Sequence, residues 1–347
     1  MASPGWLVKL KLINMTLAWR KTDWLVDGLI PLGHVSIVAA LPGAGKTTVL
    51  GALGWTVSAS EPTTFLDRAV TNGAVIYVNC DSPTGDGRSV RYILEPLKVA
   101  DPSGRMEQIQ ILEPDEGSYG LNDENMEEVK CRALEAGARL IVFDSFMACF
   151  PAINANRLQD AMGPMTALHN LATATGAAVV VIDHLPKPAS GEKPGARGVM
   201  GSIGKMAQAR AVHILDAVDP EEANGKHVIR WRVTKMTFGP IPKPMAVEFM
   251  HVDGGLVLAV GSIDEVMKET RTARAQVVLS DALHSAGEDW TPRKTLLALA
   301  QSTCNLGPTA AKGALDTLLG SLGPAVEQYT LPKPGSPVEY RLTRGPD

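Results

Sequence analysis

Between residues 25 and 260 the chain alternates short, almost wholly apolar runs with longer segments of helix-like apolar spacing. A bounded apolar run of a few residues reads as a buried strand, and recurrence every three or four positions reads as helix. Strands are expected at residues 34–40, 73–79, 107–112, 139–143 and 177–182, with helices at 46–58, 122–136 and 158–175. Strands that are apolar on both faces need helices on both sides, so the pattern predicts an α/β domain around a parallel sheet. After His184 the texture changes. Residues 211–217, 227–235, 246–251 and 255–260 read as strands joined by short turns, with Asp253-Gly254 suited to a hairpin. The parallel core is therefore expected to end in an antiparallel extension.

Residues 261–270 read as a polar connector, dividing a core of residues 1–262 from a smaller unit of residues 271–347. In that unit a first helix is expected at 272–285. A second starts with Thr291 as N-cap and Pro292 at the first helical position. A third, at 309–319, would bury Ala310, Ala314, Leu315 and Leu318. Strands at 326–331 and 338–343 follow. Three helices and then a hairpin is the order of a winged helix-turn-helix.

Composition adds limits. A length of 347 residues suits about two domains, and 45% hydrophobic with 20% charged residues is ordinary for a globular chain. The net charge of −4 does not advertise nucleic-acid binding, so such binding would need a local patch. Cys80, Cys131, Cys149 and Cys304 have no metal-ligand spacing and read as reduced thiols. The first residues lack a basic start followed by an apolar stretch, which argues against a signal peptide. The longest apolar runs fall far short of the roughly 20 residues of a membrane helix. A cytoplasmic location is expected, with no membrane partner.

The chemistry begins at Ala40-Leu41-Pro42-Gly43-Ala44-Gly45-Lys46-Thr47, which matches the Walker A pattern except for Ala40 where glycine is commonest. Glycines 43 and 45 let successive amides curl around an anion without Cβ clashes. Lys46 supplies charge for the β- and γ-phosphates, and the Thr47 hydroxyl suits Mg²⁺. The helix leaving the loop adds its dipole. Pro42, Gly43, Ala44, Gly45, Lys46, Thr47 and Thr48 are the expected nucleotide-binding residues, and ATP and Mg²⁺ the expected ligands.

A second carboxylate is needed at the end of a buried strand to help hold the metal. Asp144, after Arg139-Leu140-Ile141-Val142-Phe143, fits. Asp81, just past the second strand, is the candidate for positioning the attacking water, with Asp86 behind it. His184 ends another strand on the carboxyl edge of the sheet, where ligands bind, and is the candidate γ-phosphate sensor.

With the P-loop, Asp144 and Asp183-His184-Leu185-Pro186-Lys187 in place, the chain resembles the RepA-type replicative helicases. These are RecA-like, AAA-type hexameric ATPases of plasmids and phages. The likeness spans residues 24–260 and includes Ala196-Arg197-Gly198 and the segment Val233-Thr234-Lys235-Met236-Thr237-Phe238-Gly239. It implies that Lys46, Thr47 and Asp144 handle nucleotide and metal, and that His184 couples ATP state to DNA. It also implies that Arg210 and Lys235 reach into a neighbouring subunit's site. The chain departs from the family at Asp81, where glutamate is usual, in the Gly-Val-Met-Gly-Ser turn after Arg197, and at Thr237, where many relatives have arginine.

A loop carrying Lys187, Lys193 and Arg197 would face a ring's central hole and track single-stranded DNA by charge. Lys312, with Arg341 and Arg344 in or after the wing, gives the small unit only a thin basic surface. Two functions are consistent with these residues. The first is a hexameric, DNA-stimulated ATPase and helicase acting with other replication proteins. The second is an ATP-gated DNA-binding regulator, recombination mediator or helicase loader with slow turnover. Guanine-reading Asn-Lys-x-Asp is absent from the sequence.

Overall fold

The computed structural model describes residues 21–115, 120–151, 158–186, 203–218, 226–287, 289–330 and 337–343. Lys187, Lys193, Arg197, the 196–202 turn and Arg344 lie outside the described residues.

The core elements are β1 (Val35–Ala40), α1 (Lys46–Val57), β2 (Ala74–Asn79), α2 (Arg88–Ala100), β3 (Ile109–Leu112), α3 (Asp123–Ala136) and β4 (Ala138–Asp144). They continue with α4 (Phe146–Cys149), α5 (Leu158–Thr175), β5 (Ala178–His184), α6 (Ile203–Gln208), β6 (Ala211–Ala217), β7 (His227–Met236), β8 (Met245–Val252) and β9 (Gly255–Ser262). The strands form one nine-stranded sheet in the order β9-β8-β7-β6-β1-β5-β4-β2-β3. From β6 to β3 all neighbours are parallel, and β7, β8 and β9 extend the sheet antiparallel. The hairpin between β8 and β9 turns on Asp253 and Gly254, both with positive φ, as a two-residue hairpin of the primed kind requires.

Successive residues of a strand point to opposite faces, and the packing follows that period. Val38, Ala40, Val180 and Ile182 pack with Val49, Leu50, Leu53 and Leu94 of α1 and α2 on one face. Val35, Ile37, Ala39, Val179 and Val181 pack with Val129, Leu168 and Ala172 of α3 and α5 on the other. Each fully buried Val, Leu or Ile among them contributes roughly 1.5–3 kcal/mol of transfer free energy. This two-sided cover explains the unbroken apolar runs in the sequence. The parallel-dominated mixed sheet, with a P-loop after β1, fits a RecA-like P-loop ATPase core.

Three expectations need correction. Residues 88–100 form a helix that sequence reasoning left out, because the Pro83–Gly87 punctuation and Pro96 inside it both discourage a helical assignment. Its Leu94 and Leu97 are nevertheless buried against α1 and the sheet. The polar connector at 261–270 is instead the end of β9 and the first turns of α7 (Ile263–Ala286). Asp264, Glu265, Lys268 and Glu269 made it look like a linker, but Glu and Lys are also good helix formers, and acids such as Asp264 and Glu265 suit a first turn. Thr291 is not an N-cap: Thr291–Pro292 is a short strand, β10, pairing with Tyr340 and Glu339. Helix α8 (Arg293–Cys304) has Pro292 as its cap residue.

Beyond α8 come α9 (Pro308–Leu322), β11 (Val326–Thr330) and β12 (Val338–Leu342), and the short sheet has the order β10-β12-β11. Helices α7, α8 and α9 enclose their own apolar cluster, including Leu279, Leu283, Leu296, Leu315 and Tyr340. On α9 the buried stripe is Ala311, Ala314, Leu315 and Leu318. Ala310 is only half-buried, one position off the stripe.

Candidate functional site

The parallel strands all end on one edge, and register puts their terminal residues in a row. Ala40 faces His184 across β1 and β5, and Asn79 faces Asp144 across β2 and β4. The loop after β1 turns at Gly43 and Gly45, whose φ values are +77° and +79°. Gly45 caps α1 without a side-chain hydrogen bond, so the first amides of the helix keep no intrahelical acceptor. A Cβ at Gly45 would lie 3.1 Å from Phe249 and 3.2 Å from Ile229, whereas one at Gly43 would meet nothing.

Lys46 reaches back under the loop, and its ammonium donates to the carbonyls of Ala40 (3.3 Å) and Leu41 (3.1 Å). It is buried at 7% exposure, and burial holds its pKa below the ordinary lysine value against the pull of Asp144, Asp81 and Asp183. A buried cation held by carbonyls calls for an anion. The Thr47 hydroxyl donates to Asp144 Oδ2 at 3.1 Å, joining two residues 97 positions apart. The same oxygen accepts the Tyr77 hydroxyl at 2.7 Å. Burial raises the Asp144 carboxyl above the usual range, and Asp81 adds to the rise, while the Tyr77 and Thr47 hydrogen bonds oppose it. Burial and the Asp144 charge together push the Tyr77 phenol well up.

Asp81 stands beside Asp144. Its backbone N–H donates to the Asp144 carbonyl (2.9 Å), and its Oδ1 accepts the Ser145 hydroxyl (3.1 Å). Asp86 is turned away, exposed, and paired with Arg88 at 2.9 Å. His184 is half-buried at the end of β5, and its Nδ1 is buried with no hydrogen-bond partner among the described residues. Behind it, Asp183 forms an ion pair with Lys205 of α6 at 2.5 Å, both fully buried, and the Lys205 ammonium lies 4.6 Å from the Phe146 ring centre. Cys80 and Cys149, distant in sequence, meet next to Asp144: a hydrogen bond from Cys149 holds the Cys80 thiol below its usual value, and burial pushes Cys149 well up.

The P-loop residues, Asp144, Asp81 and His184 are thus brought to one edge. Arg210 and Lys235 are not. The Arg210 amide donates to the Val35 carbonyl at the opposite end of β1, roughly 17 Å along the strand from the loop. Lys235, beside it, donates to the carbonyls of Met206 (2.8 Å) and Ala207 (2.7 Å) at the end of α6. Burial, then Arg210, lowers the pKa of Lys235, and the same causes in the same order act on His34. Arg210 and Lys235 therefore stand close together at this edge. A cavity of about 640 Å³ also opens there, between Asp23, Trp24, His34 and Arg139, remote from the P-loop.

Sequence reasoning missed Tyr77, Ser145, Lys205 and Glu113. Tyr77 and Lys205 gave no signal, being an aromatic in a strand and a single basic residue. Ser145 was visible only as the small residue after Asp144. Glu113 did have one: it is a carboxylate just past a parallel strand, on the edge that holds the P-loop.

The residues fit Mg²⁺ with a triphosphate. Among the described residues no group of three or more His, Cys, Asp or Glu side chains gathers to hold a metal. One hydroxyl and one carboxylate at 3.1 Å suit an ion that takes its remaining ligands from phosphate and water.

Among curated proteins none matches the chain. Among solved structures the chain is similar to a KaiC-like protein from the hyperthermophilic archaeon Pyrococcus horikoshii OT3, at 17% identity and a TM-score of 0.42, covering 69% of this chain and 98% of that one. No helix among the described residues is long and apolar enough to cross a membrane. Residues 16–190, just over half of the chain, match the AAA domain family. With a phosphate-binding loop feeding a buried lysine and a threonine paired to a strand-end aspartate, this chain belongs to the AAA domain family of nucleotide-hydrolysing ATPases.

Proposed function

We propose that this protein is an ATP-hydrolysing DNA motor, a homohexameric ring ATPase that moves along single-stranded DNA in replication. The observation that carries the reading is the division of parts between the two sheet edges. Lys46, Thr47, Asp144, Asp81 and His184 occupy one edge, while Arg210 and Lys235 occupy the other. Cations on the far edge suit completion of a neighbouring copy's site, since a head-to-tail contact joins opposite edges of successive copies.

In this reading Lys46 and the amides of residues 43–48 bind the β- and γ-phosphates. Thr47 and Asp144 would hold Mg²⁺, which when bound offsets charge on the transferred phosphoryl group. Tyr77 fixes the Asp144 carboxylate from behind. Asp81 orients the attacking water, and Ser145 orients Asp81. His184, with its buried Nδ1, reads the γ-phosphate and passes its presence into β5 and the residues that follow it. Lys187, Lys193 and Arg197 are the proposed DNA contact.

The alternative is an ATP-gated regulator or loader. It is favoured by Asp81, whose carboxylate is shorter than glutamate and already engaged by Ser145. The C-terminal unit, proposed as a winged helix, also leans this way. On its surface Lys312 is exposed, but Arg341 is neutralised by Glu327 (2.6 Å) and stacked on Trp290 (4.6 Å). Such a surface suits protein contacts better than phosphate.

The deciding measurement is ATP turnover with and without single-stranded DNA, with oligomeric mass determined in the same buffer. The motor reading expects stimulation, a ring-sized mass, and loss of turnover in Lys46→Ala. Turnover indifferent to DNA, with no unwinding of a forked duplex, would refute the motor and leave the switch.

A further inference from the structure

Glu113 follows β3, and register places it beside Asn79, which in turn faces Asp144 across β2 and β4. Its side chain is folded into the loop of residues 82–87, between β2 and α2. Glu113 Oε2 accepts the backbone N–H of Thr84 (3.0 Å), Gly85 (2.7 Å) and Gly87 (3.3 Å). Oε1 accepts Asn79 Nδ2 at 2.5 Å. Asn79 Nδ2 also donates to the Ser82 carbonyl and to Ser89 Oγ, each at 2.9 Å. Three amides converging on one carboxylate oxygen form a nest, and Gly85 and Gly87, with φ of +75° and +69°, supply the left-handed turns that aim them. A charged acceptor strengthens each of these bonds over a neutral one.

This loop is the one that carries Asp81. The Asp81 amide is fixed on the Asp144 carbonyl, and three residues later the chain is fixed again on Glu113. Between the two anchors lie only residues 82 and 83, and Ser82 is itself tied to Asn79, whose side chain Glu113 also holds. The clamp therefore governs where the Asp81 carboxylate stands relative to Ser145 and Asp144. Its bonds to Thr84 and Gly85 are solvent-exposed, so their loss frees the loop without opening the core.

We infer that Glu113 is a positioning residue for hydrolysis: its carboxylate, seated in the amide nest of the β2–α2 loop, holds Asp81 at the phosphate-binding edge. The inference rests on the assignment of Asp81 as the water-orienting group. It makes no contact with the P-loop a requirement, so ATP affinity and turnover should separate.

The test is Glu113→Ala in the full chain, measured for ATP affinity, turnover number and thermal midpoint, with and without added formate. Displacing a catalytic group by about 1 Å can cost up to roughly 100-fold in rate. The expected result is a turnover number lower by about 10- to 100-fold, with ATP affinity within about twofold. Formate is small enough to enter the vacated nest, and it should restore turnover in the variant but not raise it in the wild type. A merely structural glutamate would lower affinity, midpoint and turnover together. That outcome, turnover within about twofold of wild type, or failure of formate to restore it, would overturn the assignment. If Glu113→Ala does not fold, the isosteric Glu113→Gln carries the same affinity and turnover comparison, with a smaller rate loss expected at unchanged affinity. Wild-type protein without ATP turnover would refute the ATPase reading itself. Full turnover in Asp81→Asn would refute the role of Asp81. Both results are distinct from a failure at Glu113.

Discussion

Lowering the pH from 7 to about 4.5 should destabilise this protein through one buried imidazole. His213 lies on β6 with no exposed surface, and burial lowers its pKa from 6.5 to about 3. The Trp231 indole donates to its Nδ1 at 3.1 Å, which fixes Nδ1 as the acceptor and places the ring proton on Nε2. Nε2 is buried and has no partner among the described residues, so a charged ring would gain nothing to offset its burial. The unfolded chain takes up the proton below pH 6.5, while the folded chain resists until about pH 3. Stability contributed by the neutral ring is thus complete above 6.5 and is lost progressively toward 3. Integrated between pH 7 and about 4.5, that difference is about 2 to 3 kcal/mol. The assay is urea unfolding at both pH values for wild type and His213→Gln, whose amide oxygen can still accept from Trp231. Other titrating groups act in both proteins, so the difference of differences isolates His213. An identical loss of stability in the two proteins would refute the reasoning.

Other consequences are as direct. Lys205→Met leaves the fully buried Asp183 without its cation, and breaking such a pair costs about 3–5 kcal/mol. The urea midpoint should fall accordingly and recover in part when Asp183→Asn is added. Gly45→Ala combines a left-handed φ of +79° with a Cβ 3.1 Å from Phe249, whereas Gly43→Ala has the strained φ of +77° and open space. Thermal melts should therefore rank Gly45→Ala below Gly43→Ala, with about 1–2 kcal/mol of backbone strain common to both.

The core could be read from the sequence wherever burial on two faces left a continuous apolar run, as in Val35–Ala40 and Ala178–His184. The same is true of the P-loop and Asp144, because a local motif and a strand end are both one-dimensional signals. What escaped was set by distant partners. Helix α2 carries Pro96 and opens after a glycine-rich turn, and only its Leu94 and Leu97 meeting α1 and the sheet make it pay. Tyr77, Glu113 and the Asp183–Lys205 pair acquire meaning only when strands far apart in sequence are set side by side. Thr291 has the composition of a cap, but pairing with Tyr340 overrides that local preference.

Helix α7 begins at the residue after β9 ends and runs for 24 residues without interruption. At 1.5 Å per residue this is a rod of roughly 36 Å. A slack tether would let the C-terminal unit wander independently of the nucleotide's chemistry. Here the later turns of the same helix supply Ala275, Leu279 and Leu283 to the small unit's apolar cluster, so one continuous element belongs both to the sheet's last connection and to the packing that carries Lys312.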